Sequence, residues 1–404
     1  MRIVFLSYNF SADIHDPQQW FERIKYYRGW LECLAATHTV IRIDQINYLG
    51  HAVHNGVEYC FVKGRRKNHF PVALNHFAAS KKPDVVVVSS FLYPWQVILL
   101  RKTLGRAVVI IVQNHAERPF AGPKKYLQRI ASHRVNYFLF TSAETGAAWV
   151  KNGNIHSAEK IKELMEVSSA FEPADKDIAR QQTGAHGSPI FLWVGRLNQN
   201  KDPFTAVRAF LHFAAQQPTA KLYMIFQSDE LLPDIKNILP RDSSAVVLVG
   251  NVPHDDLQSW YNSADYFLAA SHHEGSGTAL CEAMSCGCIP IVSNIPSFNT
   301  IVGDCGMLFE KGNVSSLLTA LQQTSGVNTE SRRTKVLEHF NHNLSFPAIA
   351  GHFEKLPALS KSASTRLQVS SIEQASTLAW SVFFWDKMFT TTFSMSSFDA
   401  TTCW

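Results

Sequence analysis

The sequence predicts an α/β protein of two domains, each built on a sheet of parallel strands. Three observations predict it. Short runs rich in Val, Ile and Phe alternate with helix-like segments almost from end to end, the pattern of repeated β-α units. At 404 residues the chain is longer than one hydrophobic core usually serves and suits two. A polar stretch over 173–188, starting at Pro173 and carrying Asp175, Lys176, Asp177, Gly184, Gly187 and Ser188, reads as the linker between them.

Taken in order, strands are expected at 2–7, 39–43, 85–88, 107–112 and 137–140 in a first domain over 1–172. Asp16, Pro17 and Gln19 supply an N-cap, a first-turn proline and a capping-box partner for a helix through Trp20, Ile24 and Leu31. After the linker, a second domain over 189–342 alternates strands at 190–194, 221–226, 245–249, 266–269 and 289–292 with helices. A short helical segment over 343–358 follows. The final 46 residues, 359–404, hold 17 Ser or Thr and read as a disordered tail. The alternative for this tail is an aromatic docking patch at Trp380, Phe383, Phe384 and Trp385. No internal repeat of fixed short period is present.

With 46% hydrophobic and 18% charged residues, the composition is that of an ordinary globular protein. The opening apolar run is a buried-type strand rather than a signal peptide, because Asp13 and Asp16 arrive too soon. No apolar run approaches the roughly 20 residues that span a bilayer. A cytoplasmic location is the resulting expectation. Of the seven cysteines, Cys281, Cys286 and Cys288 cluster among small and apolar residues without the second ligand pair of a zinc site, so packing is their expected role.

Charge is uneven. Residues 1–180 carry 24 Lys or Arg against 15 Asp or Glu, a net +9, and the remainder nets −4, giving the overall +5. Basic clusters fall at 63–67, at Arg101 and Lys102, and at Lys124, Lys125 and Arg129. They suit solvated faces, or an anionic or lipid-linked acceptor at the inner membrane surface, contacted peripherally. No nucleic-acid-binding module accompanies them, so nucleic acid is not an expected partner.

Two motifs carry chemistry. In the first, Glu274 and Glu282 stand eight positions apart with Gly275, Ser276 and Gly277 between them and a helix beginning near Thr278. Glycines let backbone amides approach a ligand, and a helix start favours a phosphate. Carboxylates beside a phosphate site serve sugar hydroxyls better than phosphate, so the pairing points to a nucleotide sugar. In the second, an apolar strand ends at Gly195 and is followed by Arg196 and, five residues on, Lys201. Asp202 and Pro203 then open a helix as N-cap and first-turn proline. Cations at the carboxyl end of such a strand lie where α/β sheets bind ligands.

Over roughly 188–321 these motifs, in this order, resemble the donor-binding half of retaining glycosyltransferases of family four. The resemblance implies the GT-B fold, two Rossmann-like domains facing a cleft, with a C-terminal helix returning to the first domain. It implies transfer of a sugar from a nucleoside-diphosphate sugar to a glycan, lipid-linked or small-molecule acceptor, in polysaccharide or glycoconjugate biosynthesis. It gives Glu282 to the ribose hydroxyls and Glu274 to the donor sugar. Gly275, Ser276 and Gly277 would line sugar and phosphate. Retention of configuration, with the departing phosphate as base, comes from the family.

Arg196 and Lys201, with the helix amides, can stabilise the leaving diphosphate, so neither cofactor nor metal is expected. His115, just beyond a buried strand, matches a family histidine near the transferred sugar. The chain departs from the family in two places. No glycine occurs between Phe10 and Gly29, and Glu166 to Phe171 stands where the family has an Asn-Gly before its linker.

Other classes remain open at this level. An oxidoreductase lacks support, since no Gly-x-Gly-x-x-Gly follows the first strand. A nucleotide-sugar epimerase, a phosphorylase, or a non-catalytic nucleotide- or carbohydrate-binding protein would share the same cleft.

Overall fold

The structure, a computed structural model, describes residues 1–64, 72–241, 244–325, 329–357 and 359. Arg65, Arg66 and Lys67 of the first basic cluster, and the tail from residue 360 onward, lie outside the described residues.

The first sheet contains β1 (Arg2–Ser11), β2 (Thr39–Ile46), β3 (Gly50–His54), β4 (Val57–Lys63), β5 (Val85–Ser89), β6 (Val109–Gln113), β7 (Tyr137–Phe140) and β8 (Ile161–Glu163), in the order β3-β4-β2-β1-β5-β6-β7-β8. The second holds β9 (Ile190–Gly195), β10 (Lys221–Phe226), β11 (Val246–Gly250), β12 (Tyr266–Ala269), β13 (Ile289–Ser293) and β14 (Met307–Phe309), in the order β11-β10-β9-β12-β13-β14. Every pairing is parallel except β3 with β4. The two parallel sheets expected from the sequence are present, with this one antiparallel pair added at an edge. Its turn is Asn55-Gly56, with φ of 46° and 82°, the positive values a two-residue hairpin turn requires.

Alternation along the strands builds the layers. Ile3 and Phe5 of β1, with Val85 and Val87 of β5, face one side together with Trp30 and Leu31. Val4 and Leu6, with Val86 and Val88, face the other together with Val97 and Trp149. The first of these layers runs without a break into the core of the second domain.

Three helical segments fix the frame. The helix after Asp16 starts as expected, with the Asp16 side chain accepting from Gln19 N at 2.9 Å, but it ends at Arg23. A second helix, Lys25–Ala35, then buries Tyr27, Trp30, Leu31 and Leu34. The break falls at Ile24, whose φ and ψ of −107° and 15° leave the helical region.

The stretch over 173–188 is not wholly loop. It contains the helix Lys176–Thr183, capped by Asp175, and Lys176 and Arg180 pair with Asp265 at 2.7 and 3.2 Å. The last described helix, Phe346–Glu354, lies on the helix Lys25–Ala35. There Phe353 packs at a tilt against Trp30 with ring centroids 5.6 Å apart, and Phe346 covers Gly29, where a Cβ would collide with its ring. An aromatic pair of this kind is worth about 1 kcal/mol beyond its buried area.

Cys281, Cys286 and Cys288 are buried and unbridged, and burial pushes all three thiols up. Such thiols are packing groups rather than nucleophiles.

Candidate functional site

In the second sheet the chain winds outward from β9 through β10 to β11, then returns to place β12 beside β9. The loops leaving β9 and β12 therefore part at a topological switch point, where an open α/β sheet leaves a crevice beyond its strand ends. Both sequence motifs sit there. The β9 loop carries Gly195, Arg196 and Lys201, and the β12 loop carries Glu274 to Thr278.

One backbone bond and one side-chain bond hold the two loops together. His272 N donates to Asn200 O at 2.8 Å, and Asn200 Nδ2 donates to His273 O at 2.9 Å. Asp202 caps the helix Pro203–Ala214 by accepting from Thr205 N at 3.2 Å, which fixes the end of the β9 loop. Lys201 Nζ then meets Glu274 Oε1 as an ion pair. Arg196 makes no ion pair among the described residues, so its charge is available to a ligand. A small cavity beside them is lined by Trp193, Lys201, Ser271, Glu274, Gly277 and Phe298.

Each glycine of the turn has a reason. Gly277 has φ 58° and ψ 50° and precedes the helix Thr278–Ser285, which no side chain caps. A Cβ there would press on Ile301 and Phe298 at 3.1 and 3.3 Å. Gly275 lies where a Cβ would strike Ala116 of the first domain, so glycine permits the close approach of the two halves. Gly195 is less demanding, since a Cβ would meet Trp193 at 3.3 Å. The Glu274 carbonyl is held by Ser297 Oγ at 2.9 Å.

Glu282 lies one turn into that helix and is buried, with 5% of its surface exposed. Both its oxygens are engaged: Tyr261 donates its hydroxyl to one at 2.9 Å, and His254 Nε2 pairs with the other at 2.7 Å. Burial and the Glu282 carboxylate push the Tyr261 hydroxyl far up, so it stays a donor.

From the first domain, His115 follows β6, and Ala116 takes a positive φ of 69° beside it. His115 Nδ1 pairs with Glu166, and the same carboxylate accepts from Ser276 Oγ. Tyr26 reaches the region of Arg196 and Glu282, and burial pushes its hydroxyl up to about 12.

The structure thus brings Gly195, Arg196, Lys201, Glu274, Gly275, Ser276, Gly277 and Thr278 to one crevice, with Glu282 behind them and His115 opposite. Sequence reasoning gave no role to Glu166, Tyr261, His254, Tyr26 or Ala116. For Glu166 a signal existed, a lone acid within the apolar run Leu164-Met165-Glu166-Val167. Tyr261 and His254 offered none.

One further cluster, Asp304, Cys305 and His339, places its ligand atoms within 4.8 Å of one another. Lys335 Nζ already holds Asp304 at 2.8 Å, and His339 Nε2 sits 2.9 Å from Ile301 O. A cation in that place does not suit a metal.

Comparison with known proteins agrees with this geometry. Residues 175–333 match the family described as glycosyl transferases group 1. The O-antigen chain mannosyltransferase B of Escherichia coli is 36% identical over 76 residues, 19% of this chain and 20% of that protein, so the match spans only a fifth of that relative. A GDP-mannose:cellobiosyl-diphosphopolyprenol alpha-mannosyltransferase of Xanthomonas campestris is 23% identical over 299 residues, 72% of this chain and 78% of that protein. Among solved structures, the sucrose-phosphate synthase of Thermosynechococcus elongatus superposes with a TM-score of 0.62 at 16% identity, covering 92% of this chain and all of that one. No helix among the described residues is long and apolar enough to cross a membrane. The chain therefore has the GT-B fold, and within its second half residues 175–333 match the glycosyl transferases group 1 family.

Proposed function

We propose that the protein is a retaining glycosyltransferase of family four that moves a sugar from a nucleoside-diphosphate donor to an acceptor hydroxyl without a divalent metal. The observation that carries this reading is the convergence of Arg196, Lys201 and an uncapped helix start around Glu274, with Glu282 buried one turn into the same helix.

The chemistry follows from the charges. As the bond between the anomeric carbon and the diphosphate oxygen breaks, its electron pair moves onto that oxygen. Arg196, Lys201 and the amides after Gly277 are fixed positive groups there, worth most where water is excluded. The acceptor oxygen bonds to the anomeric carbon and gives its proton to the departing phosphate oxygen. Glu274 is assigned to the sugar and Glu282 to the ribose. On this reading, the acceptor is a glycan or a lipid-linked saccharide in polysaccharide or glycoconjugate biosynthesis, at the cytoplasmic face of a membrane. The acceptor named for the Xanthomonas relative, a diphosphopolyprenol saccharide, belongs to that class.

The test is thermal stabilisation by UDP, GDP, ADP and their sugars, followed by transfer assays with the donor that binds. A ligand at 100 times its dissociation constant adds about 2.7 kcal/mol to the folded state, which a melting curve resolves. Absence of stabilisation by every nucleoside diphosphate overturns the reading.

A further inference from the structure

Glu166 is the lone acid in the apolar crossing between the domains, and 4% of its surface is exposed. A buried carboxylate is costly unless charge and hydrogen bonds compensate it. Here the compensation comes from both sides of the cleft. One oxygen meets His115 Nδ1, after β6 of the first domain, and the other accepts from Ser276 Oγ in the turn of the second. Its own backbone is pinned as well, since Trp30 Nε1 donates to the Glu166 carbonyl at 3.1 Å.

We propose that Glu166 is the positioning residue of the transfer site, holding His115 as an imidazolium in register with the Ser276 turn so that Nε2 carries a proton toward the bound donor. This inference rests on the transfer reading above. One carboxylate bridges both groups, so the His115 ring lies within a carboxylate's span of the turn assigned to the donor. A fixed cation there adds to the field that stabilises the leaving oxygen. Glu166 touches neither donor nor acceptor in this scheme and acts through His115.

The groups facing His115 agree with the arrangement. Burial by itself lowers its pKa, Glu166 and then Glu117 raise it, Arg42 opposes them, and the balance lies above the ordinary imidazole value. Glu117 Oε2 accepts from His115 N at 2.7 Å, and the Tyr27 ring stands 6.4 Å away. Burial pushes the Glu117 carboxyl up, and of the two carboxylates Glu166 acts the more strongly on His115. The imidazolium is present below the raised pKa and is lost as pH rises through it. Removing the Glu166 charge leaves burial and Arg42 opposed by Glu117 alone, which draws the value down.

The experiment is a histidine NMR titration of the full chain, with the His115 signal identified by its loss in His115→Asn, together with the pH profile of sugar transfer. Wild-type His115 should titrate above about 6.5. In Glu166→Gln its midpoint, and the alkaline limb of kcat, should fall by about one pH unit or more, and Glu166→Asp should recover part of the shift. A wild-type midpoint at or below about 6.5 overturns the proposal even if Glu166→Gln does not fold. Turnover by wild type with an unmoved profile in folded Glu166→Gln overturns the role of Glu166 alone. A wild-type protein that turns over no nucleotide sugar overturns the transfer reading and this role with it.

Discussion

Tyr261 donates its hydroxyl to the Glu282 carboxylate at 2.9 Å, from a helix 21 residues earlier in the chain. His254 holds the other oxygen at 2.7 Å, so the carboxylate assigned to ribose is anchored on both sides. A ribose hydroxyl would compete with His254, which is the more exposed of the two partners. Glu282→Ala should weaken nucleoside diphosphate binding by about 10- to 100-fold, the value of a hydrogen bond to a charged group, and lower kcat much less. Calorimetric titration checks this, and an unchanged dissociation constant would remove Glu282 from the ribose.

Lys201 and Arg196 should behave the opposite way. Charge on the diphosphate grows as the glycosidic bond breaks, so cations there favour the transition state over the bound donor. Lys201→Ala and Arg196→Ala should each lower kcat by about 10²–10³ while changing donor affinity less. Lys201→Ala also leaves Glu274 without its ion-pair partner. Folded variants that turn over donor at near-normal rates would refute the assignment.

Chelation should leave turnover largely intact. Asp175 and Asp177 have the spacing of a metal–diphosphate anchor, but Asp175 caps the helix Lys176–Thr183 by accepting from Asp177 N and Ile178 N at 3.0 and 2.9 Å. Activity lost to a chelator and restored by magnesium or manganese would contradict the proposed role of the cations.

Part of the first domain's basic charge is committed to the fold. Arg101 donates to the carbonyls of Arg134, Gly105 and Val108 and to Asn136 Oδ1, at 2.6 to 2.9 Å. The helix Lys124–Ser132 is different, for it exposes Lys124 and Arg129 beside Tyr126 and Ile130. Cosedimentation with anionic vesicles should therefore fall as salt rises through physiological strength, where the screening length is about 8 Å. Lys124→Glu combined with Arg129→Glu should weaken it by about 1 kcal/mol or more per cation. Vesicle binding absent at low salt would dismiss the membrane contact.

Stability should decline on the acid side through His156. Burial first, then Lys160, His133 and Arg129, lower its pKa from 6.5 to about 4. Its ring stacks on His133 with centroids 3.8 Å apart, and Ser132 Oγ lies 2.9 Å from Nδ1. A depressed folded-state value means the neutral ring is favoured by folding, so the contribution is complete above pH 6.5 and is lost as pH falls toward 4. Melting temperatures across that interval should drop less steeply in His156→Gln than in wild type.

Much of this protein was legible in the residues. Asp16 and Asp202 cap their helices as their local sequences require, because a cap depends on neighbours within three or four positions. The turn from Gly275 to Thr278 and the strand ending at Gly195 follow from equally local rules. The hairpin at Asn55-Gly56 carried a readable turn signal as well, and the expectation of parallel strands passed over it. The break at Ile24 and the helix inside 173–188 depend instead on what each segment packs against, as the pairing of Lys176 and Arg180 with Asp265 shows.

The sequence by itself determined two α/β domains and the glycine turn with its flanking carboxylates, since strand alternation, caps and glycine turns are set by short-range sterics and hydrogen bonds. Only the tertiary structure decided that Glu166 joins His115 to Ser276, that Tyr261 and His254 hold Glu282, and that Lys201 meets Glu274 across 73 residues. Those partners converge because strand order brings distant loops to one switch point and the crossing at Glu166 passes between the domains, and neither is encoded in any local window of the chain.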